Sequence, residues 1–163
     1  MSDHLWLNLG CSDNIREGFV NVDLRTSIDP SDLYLGWNLE VAPWPWKDSS
    51  VDYILAADII EHLKDHCLTM NEMWRVLKPG GIVEIYVPTT EGRGAFQDPN
   101  HKSFWNRNSF FYYEHGNAHR ERFGDSYGVK ARFEIISEDT ENLQDHVVKL
   151  HIILRAVKPD ANR

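Results

Sequence analysis

The fold of this chain is decided by two segments, LNLGCS at residues 7–12 and FVNVDL at residues 19–24. Both read as short buried strands bounded by turn residues. Gly10 lacks a Cβ, so the backbone at the end of the first strand can approach a ligand closely. Asp23 ends the second strand, where a carboxylate can accept hydrogen bonds from both hydroxyls of a ribose. The pair predicts a nucleoside-binding edge. The alternative is an ordinary strand-turn-strand with a solvated aspartate.

Further motifs follow in a fixed order along the chain. PWPWKDSSVDYILAAD spans residues 43–58, IIEHL follows at 59–63, and WRVLKPGG at 74–81 leads into the apolar run 82–87. This series resembles the class I S-adenosylmethionine-dependent methyltransferases, and most of all their short, type 11-like bacterial and phage members. The resemblance covers about residues 5 to 115. It implies an α/β, Rossmann-like, doubly wound fold, whose mostly parallel seven-stranded sheet ends in an antiparallel strand pair.

Apolar patterning predicts the individual elements. Parallel strands are expected at about residues 5–9, 19–24, 34–39, 51–57 and 82–87. A helix is expected from Asp65 to Leu77, because its apolar residues have roughly helical spacing and a Pro-Gly-Gly stop follows. Residues 133–138 and 147–157 read as the antiparallel pair, with a turn-like polar segment at 139–145 between them.

Length and composition predict one domain over residues 1–158 and a disordered tail over 159–163. A formal net charge of −8 makes nucleic acid an unlikely partner, because such partners favour basic surfaces. No apolar stretch is long enough for a membrane span, and the N-terminus has no signal-peptide pattern. The two cysteines share no motif, so reduced thiols and a cytoplasmic location are the simplest expectation.

The first crossover is unusually short. Eight residues separate Gly10 from Phe19, whereas a parallel crossover usually needs about a dozen or more. We therefore expect reduced N-terminal helices, with one or two helical turns around residues 14–17. One face of the sheet would be thinly covered, and either the lid segment or a second subunit of a homodimer is expected to cover it.

The resemblance places S-adenosylmethionine, and its product S-adenosylhomocysteine, at the ends of the parallel strands. The Gly10 turn would pass under the methionine portion, and Asp23 would bind the ribose. Asn38 would address the adenine, although it can also be explained as a strand-end turn residue. The expected cofactor contacts are Asn8, Leu9, Gly10, Cys11, Asp23, Leu24, Asn38, Leu39, Ala57, Asp58 and His62.

A long segment at residues 89–127 resembles the lid and substrate insertion of short relatives. His101 is the expected general base for the acceptor, and Asp98 would orient it; this pair is the predicted catalytic group. The expected substrate contacts are Phe104, Trp105, Phe110 and Tyr113. The alternative is that these aromatic residues only cover the sheet.

No metal is predicted. His115 and His119 have the i, i+4 spacing of helical ligands, with Asp98 or His101 as a third group, but Gly116 weakens such a helix. Glu61 and His62 resemble an acid–base pair, yet adjacent residues on a helix point in different directions and are not expected to act as a unit.

The leading functional hypothesis is methyl transfer to an oxygen or nitrogen atom of a small molecule. An Asn-Pro-Pro-aromatic motif after the fourth strand is absent, which disfavours methylation of DNA adenine or glutamine. The alternatives are a module that binds the cofactor without methyl transfer, a protein or RNA acceptor, and a lyase that uses the same cofactor. A nicotinamide-dependent oxidoreductase is disfavoured, since no G-x-G-x-x-G fingerprint precedes Asp23.

Overall fold

The computed structural model describes residues 4–25 and 33–159, which contain one seven-stranded sheet of order β3-β2-β1-β4-β5-β7-β6. The strands are β1 (Trp6–Leu9), β2 (Val20–Asp23), β3 (Tyr34–Gly36), β4 (Val51–Ala57), β5 (Leu77–Pro88), β6 (Phe133–Asn142) and β7 (Val148–Ala156). The α-helices of the described residues are α1 (His66–Val76), α2 (Gly94–Gln97) and α3 (Ala118–Phe123), and short 3-10 helices span Ile60–His62, Arg107–Tyr112 and Gln144–His146. The disordered tail predicted for 159–163 lies, from residue 160 onward, outside the described residues.

The pairing confirms the predicted fold class. β1 to β5 pair in parallel, whereas β7 lies antiparallel between β5 and β6. The strand order reverses at β1, which pairs with β2 on one side and β4 on the other. Ligands of open α/β sheets bind in the crevice at such a reversal. No helix in the described residues is long and apolar enough to cross a bilayer.

Helix α1 begins and ends close to where the sequence predicts. The Asp65 side chain caps it by accepting a hydrogen bond from the Leu68 amide at 2.9 Å. Strand β5 starts directly after α1, at Leu77, which is earlier than the predicted residue 82. Val51 pairs with Leu77 and Tyr53 pairs with Ile82, so the Lys78–Gly81 segment bulges out of the ladder.

The short first crossover contains no helix. Residues 10–19 form turns and irregular backbone, so the helical turn predicted around residues 14–17 is wrong. Two buried asparagines stabilise the segment instead. The Asn8 side-chain amide donates to Asn21 Oδ1 and to the Asn14 carbonyl, both at 2.8 Å, and the Arg16 amide donates to Asn21 Oδ1 at 2.9 Å. Side-chain amides thus satisfy backbone groups that a helix would have paired internally.

The two faces of the sheet are covered unequally. Met70 and Met73 of α1 are buried in the core with Val83 and Ile85 of β5. The opposite face carries half-buried polar and aromatic residues, and Trp6 is 40% exposed on it. Buried aromatic residues of the lid pack elsewhere, contrary to one of the two sequence-based alternatives: Trp105 stacks on His66 and Tyr113 contacts Cys67, both of α1.

In the final strand pair β6 is longer than predicted, whereas β7, at Val148–Ala156, is slightly shorter than the predicted 147–157. β6 continues to Asn142, so most of the segment 139–145 that reads as a turn is strand. Phe133 is the only buried residue of β6, and every residue from Ile136 onward is exposed. β6 is the edge of the sheet, where neither face needs apolar residues, and its polar sequence therefore gives no strand signal.

Candidate functional site

A pocket opens at the carboxyl ends of β1, β2 and β4, at the reversal of strand order. Six of its lining residues are predicted from the sequence: Gly10, Asp23, Leu24, Asn38, Leu39 and His62. Five lining residues are not predicted: Trp37, Glu40, Ile59, Leu63 and Lys102. The missed residues neighbour the predicted ones in the sequence or, for Lys102, follow His101, so proximity to a motif is the signal that could have found them.

Gly10 has a structural reason to be glycine. Its φ is +63°, and a Cβ at this position would lie 2.6 Å from the Ile59 side chain. Ile59 itself lines the pocket. The absent side chain therefore makes room for a neighbouring residue of the protein as well as for a ligand.

The carboxylate of Asp23 is held at the pocket rim by the first loop. It accepts hydrogen bonds from the Ser12 amide at 2.9 Å and from the Arg25 amide at 3.1 Å. Arg25 also donates to Ser12 Oγ at 3.1 Å. A carboxylate can accept about four hydrogen bonds, so two of these contacts leave capacity for a ribose diol. Ser12 has a φ of +46°, a conformation that favours glycine.

Several predicted cofactor residues do not line this pocket. Asn8 is buried in the polar network of the first crossover, and Leu9 is core. Cys11 is buried, and burial followed by the charge of Asp23 raises the pKa of its thiol to about 11. Asp58 pairs with Lys149 of β7 at 2.5 Å, and Ala57 precedes it at the end of β4. The Asp58 charge is thus countered within the protein.

Two neighbouring residues, Trp37 and Asn38, differ in whether they are already hydrogen-bonded. The Asn38 side-chain oxygen accepts from the Glu40 amide at 3.0 Å, which is the turn that the sequence offers as an alternative to adenine binding. The Trp37 indole N–H is buried and has no hydrogen-bond partner among the described residues. An unpaired buried donor at a pocket wall is a ready contact for a ligand acceptor.

The lid brings His101 against the turn that follows β4. The Lys102 and Ser103 amides donate to the Glu61 carbonyl at 2.8 and 3.0 Å, and Ser103 Oγ donates to the Ile60 carbonyl at 2.9 Å. The rings of His62 and His101 meet edge to face with centroids 4.9 Å apart. Asp98, predicted to orient His101, has its carboxylate 3.9 Å from His101 Nε2.

Glu61 is a further functional candidate, although the sequence did not predict that it would act together with His62. The residue is 2% exposed, and burial, reinforced by the charges of Asp58 and Asp98, raises the pKa of its carboxyl group to about 7. Glu61, His62 and His101 each offer one ligand atom, and these atoms lie within 4.8 Å of one another. Adjacent residues of the 3-10 turn Ile60–His62 are about 120° apart around its axis, yet the Glu61 carboxylate and the His62 ring lie close together.

The aromatic residues of the lid divide between core and surface. Trp105 and Phe110 are 0% and 1% exposed and contribute to the core in this structure, which fits the covering role weighed as the alternative. Trp105 stacks on the His66 ring at 3.9 Å between centroids. Tyr113 is buried with its hydroxyl 4.0 Å from Cys67 Sγ, whereas Phe104 is 47% exposed.

His115 and His119 do not form a cluster with Asp98 or His101 in the described part of the chain. Both histidines are exposed. The His119 ring packs against Phe111 and Tyr112 instead. The helical metal site considered from their spacing is therefore not assembled.

Comparison with known proteins gives consistent results. The sequence model of a methyltransferase domain family matches residues 33–85. A curated relative from Mycolicibacterium smegmatis, described as a probable S-adenosylmethionine-dependent methyltransferase, is 32% identical over 92 residues, which are 54% of this chain and 31% of that protein. The chain thus spans about a third of the length of the curated relative it matches.

Solved structures agree on the fold. An S-adenosylmethionine-dependent methyltransferase from Methanosarcina mazei superposes with a TM-score of 0.63 and 14% identity, covering 98% of this chain and 95% of the other. A second structure is the 1,6-didemethyltoxoflavin-N1-methyltransferase of Burkholderia thailandensis, solved with 1,6-didemethyltoxoflavin and S-adenosylhomocysteine. It superposes with a TM-score of 0.60 and 12% identity, covering 94% of this chain and 71% of the other. At these identities the likeness establishes the architecture.

Proposed function

We propose that this chain, which carries a class I S-adenosylmethionine-dependent methyltransferase domain, transfers the methyl group of that cofactor to an oxygen or nitrogen atom of a small molecule. The observation that supports the proposal most is the pocket at the reversal of strand order. It joins the Gly10 turn, the Asp23 carboxylate and His62 at one edge of the sheet. The motifs that carry the sequence resemblance supply these residues.

The residues present fit the cofactor. Asp23 has free acceptor capacity for the ribose hydroxyls, and Leu39, Ile59 and Leu63 offer an apolar wall suited to the adenine. The unpaired indole N–H of Trp37 can donate to a ligand acceptor. When bound, the cofactor would supply the methyl group on its sulfonium sulfur: the acceptor would form a bond to the methyl carbon as the carbon–sulfur bond breaks, and neutral S-adenosylhomocysteine would be the leaving group.

The lid residues His101 and Asp98, which lie beside His62, are suited to activate the methyl acceptor. His101 Nδ1 lies 2.9 Å from the Ala95 carbonyl, which fixes the proton on Nδ1 and leaves the Nε2 lone pair free. His101 Nε2 accepts the proton of an oxygen or nitrogen acceptor, and Asp98 stabilises the imidazolium that forms. The proposal favours a small acceptor over RNA, because the formal charge is −8.

The half-buried face of the sheet is the proposed contact of a homodimer. His4, Trp6, Phe19 and Tyr53 form an aromatic cluster there, with the Trp6 and Phe19 centroids 5.3 Å apart. Light scattering of the purified protein tests this part of the proposal, and a monomer at all concentrations would contradict it.

Calorimetric titration with S-adenosylmethionine and S-adenosylhomocysteine, with NAD as a control, tests the function. Micromolar binding of the first two and none of NAD is the expected result. A screen of small-molecule acceptors with methyl-labelled cofactor follows. Binding without turnover on any acceptor class would favour a cofactor-binding module, and methylation of RNA or protein alone would overturn the small-molecule acceptor.

A further inference from the structure

We propose that Glu61, His62 and His101 form a binding site for one divalent transition-metal ion, of the Zn²⁺ type, between the cofactor pocket and the lid. The three residues come from two segments about forty positions apart in the sequence, and no sequence motif links them. Binding of the ion does not require methyl transfer, since the site needs only these side chains.

The distances suit a site that closes around an ion. The three ligand atoms lie within 4.8 Å of one another. Zinc binds nitrogen and oxygen at about 2.0–2.1 Å, so two ligands of a tetrahedral shell lie about 3.4 Å apart. The three atoms therefore have to approach one another by up to about 1.4 Å when an ion binds.

The buried carboxylate of Glu61 supplies an independent indication that a cation binds here. Its Oε2 is buried and has no hydrogen-bond partner among the described residues. No ion pair within 4.0 Å joins its carboxylate to His62 or His101 in the described ranges, although both rings are close by. A buried carboxylate oxygen without a partner costs free energy, and a cation bound at this point removes that cost.

His101 has the tautomer that metal ligands adopt. Its Nδ1 lies 2.9 Å from the Ala95 carbonyl, so Nε2 carries the free lone pair. Ligating histidines nearly always donate their other N–H to a carbonyl or carboxylate in this way. The His101 side chain is 7% exposed, and Asp98 lies 3.9 Å from Nε2, within reach as a further oxygen ligand.

Backbone hydrogen bonds hold the two halves of the site together. The Lys102 and Ser103 amides both donate to the Glu61 carbonyl, at 2.8 and 3.0 Å. His101 directly precedes this anchored pair, and His62 directly follows Glu61. The ligands are therefore positioned before an ion arrives, which reduces the entropy lost on binding.

The ligand types define the class of ion. Two imidazoles and one carboxylate suit Zn²⁺ and its transition-metal neighbours, whereas Mg²⁺ and Ca²⁺ prefer sites built from oxygen. Three protein ligands leave a coordination position open. Because His62 also lines the cofactor pocket, an oxygen atom of the acceptor that fills this position would lie beside the cofactor. His101 would then hold the ion in place of accepting a proton.

The test is calorimetric titration of untagged, chelator-treated protein with ZnCl₂, and with CoCl₂ while the visible absorption of Co²⁺ is followed. We expect one ion per chain and an absorption band typical of a low-symmetry nitrogen–oxygen site. Glu61→Gln and His101→Asn should each weaken Zn²⁺ binding tenfold or more. The His115→Ala/His119→Ala double variant, which removes the exposed pair, should bind like the wild type.

Each outcome decides the proposal. Absence of Zn²⁺ binding by the wild type, or loss of binding only in the His115/His119 variant, would overturn it. S-adenosylhomocysteine is titrated into every variant as a second measurement. Unchanged affinity for it shows that the fold is intact, so a loss of Zn²⁺ binding then reflects the ligands. Zn²⁺ binding without any cofactor binding would support the metal site while contradicting the proposed methyl transfer.

Discussion

The side chain of Ile59 fills the space that a Cβ on Gly10 would require, at 2.6 Å from the position of that atom. Gly10 follows β1 and Ile59 follows β4, so this contact fixes the separation of two loops on one edge of the sheet. The pocket for the proposed cofactor lies between them, and its shape therefore depends on packing within the protein.

Gly10→Ala tests this contact. We expect a loss of about 2–5 kcal/mol in the free energy of unfolding, from the left-handed backbone and from overpacking against Ile59. Gly18→Ala is the matched control, since its φ is +81° but nothing lies within 4 Å of its Cβ, and it should lose only about 1–2 kcal/mol. Urea denaturation measures both. Equal losses of unfolding free energy in the two variants would show that the Ile59 side chain moves to accommodate the new Cβ.

Asp23→Ala should weaken binding of S-adenosylmethionine by about 1–3 kcal/mol, through loss of the hydrogen bonds to the ribose. Asp13→Ala is the control, because Asp13 also pairs with Arg25 but is 91% exposed. Calorimetry measures both affinities. Unchanged affinity in Asp23→Ala would mean that the ribose binds elsewhere.

Trp37→Phe removes the unpaired indole N–H from the pocket wall. We expect the stability of the ligand-free protein to be kept or raised by about 1 kcal/mol, because a buried unsatisfied donor is lost. Affinity for S-adenosylhomocysteine should fall by about tenfold, or roughly 1.4 kcal/mol. Trp46→Phe, outside the pocket, should leave this affinity unchanged. A Trp37 variant that binds as tightly as wild type would remove Trp37 from the site.

We expect Glu84 to make the stability of the protein fall at acidic pH. Burial acts to raise its pKa, but hydrogen bonds from Tyr53, Tyr86 and His151 outweigh burial and hold the pKa below its usual range. A carboxylate whose pKa is lower in the folded state stabilises the protein fully above the unfolded-state pKa of about 4.3. That contribution is lost as the pH falls through the folded-state value.

Glu84→Gln should therefore cost about 1–2 kcal/mol at neutral pH and progressively less below about pH 4.3. The free energy of unfolding of both proteins is measured across this range. The control is Glu134→Gln, because Glu134 of β6 is exposed and pairs with Arg155 of β7. A cost that does not change with pH would assign the effect of Glu84→Gln to shape rather than charge.

His101→Ala should lower kcat by about a hundredfold or more in the metal-free enzyme, once an acceptor is found. Affinity for S-adenosylhomocysteine should stay near the wild-type value, since His101 does not line the cofactor pocket. His119→Ala is the surface control. Equal loss of turnover and cofactor affinity would instead assign His101 a role in folding the lid.

The sequence predicts well the sheet and several residues of the pocket at its edge. Apolar runs locate β4 and β5, helical spacing and the Pro-Gly-Gly stop locate α1, and Gly10 and Asp23 line one pocket. These features depend on local pattern, which is readable in one dimension. The polar half of β6 is missed for the same reason, because an exposed edge strand lacks that pattern.

The site beyond the cofactor depends on contacts between distant segments. The burial of Trp105 and the meeting of Glu61 with His101 follow from how the lid packs on α1 and on the turn after β4. An aromatic or a histidine in a lid sequence is compatible with either core or pocket. Only the packed structure separates the two.

The exposed edge strand β6 also bears on how this protein can associate. Its outer half carries Glu138, Asp139 and Glu141, and the strand at the other edge, β3, is only three residues long. Acidic side chains and short length both hinder the addition of a foreign strand. Growth of the sheet from either end is therefore disfavoured, and a second molecule would have to stack on the broad face. Such stacking closes after two copies, whereas edge-to-edge pairing can propagate into aggregates.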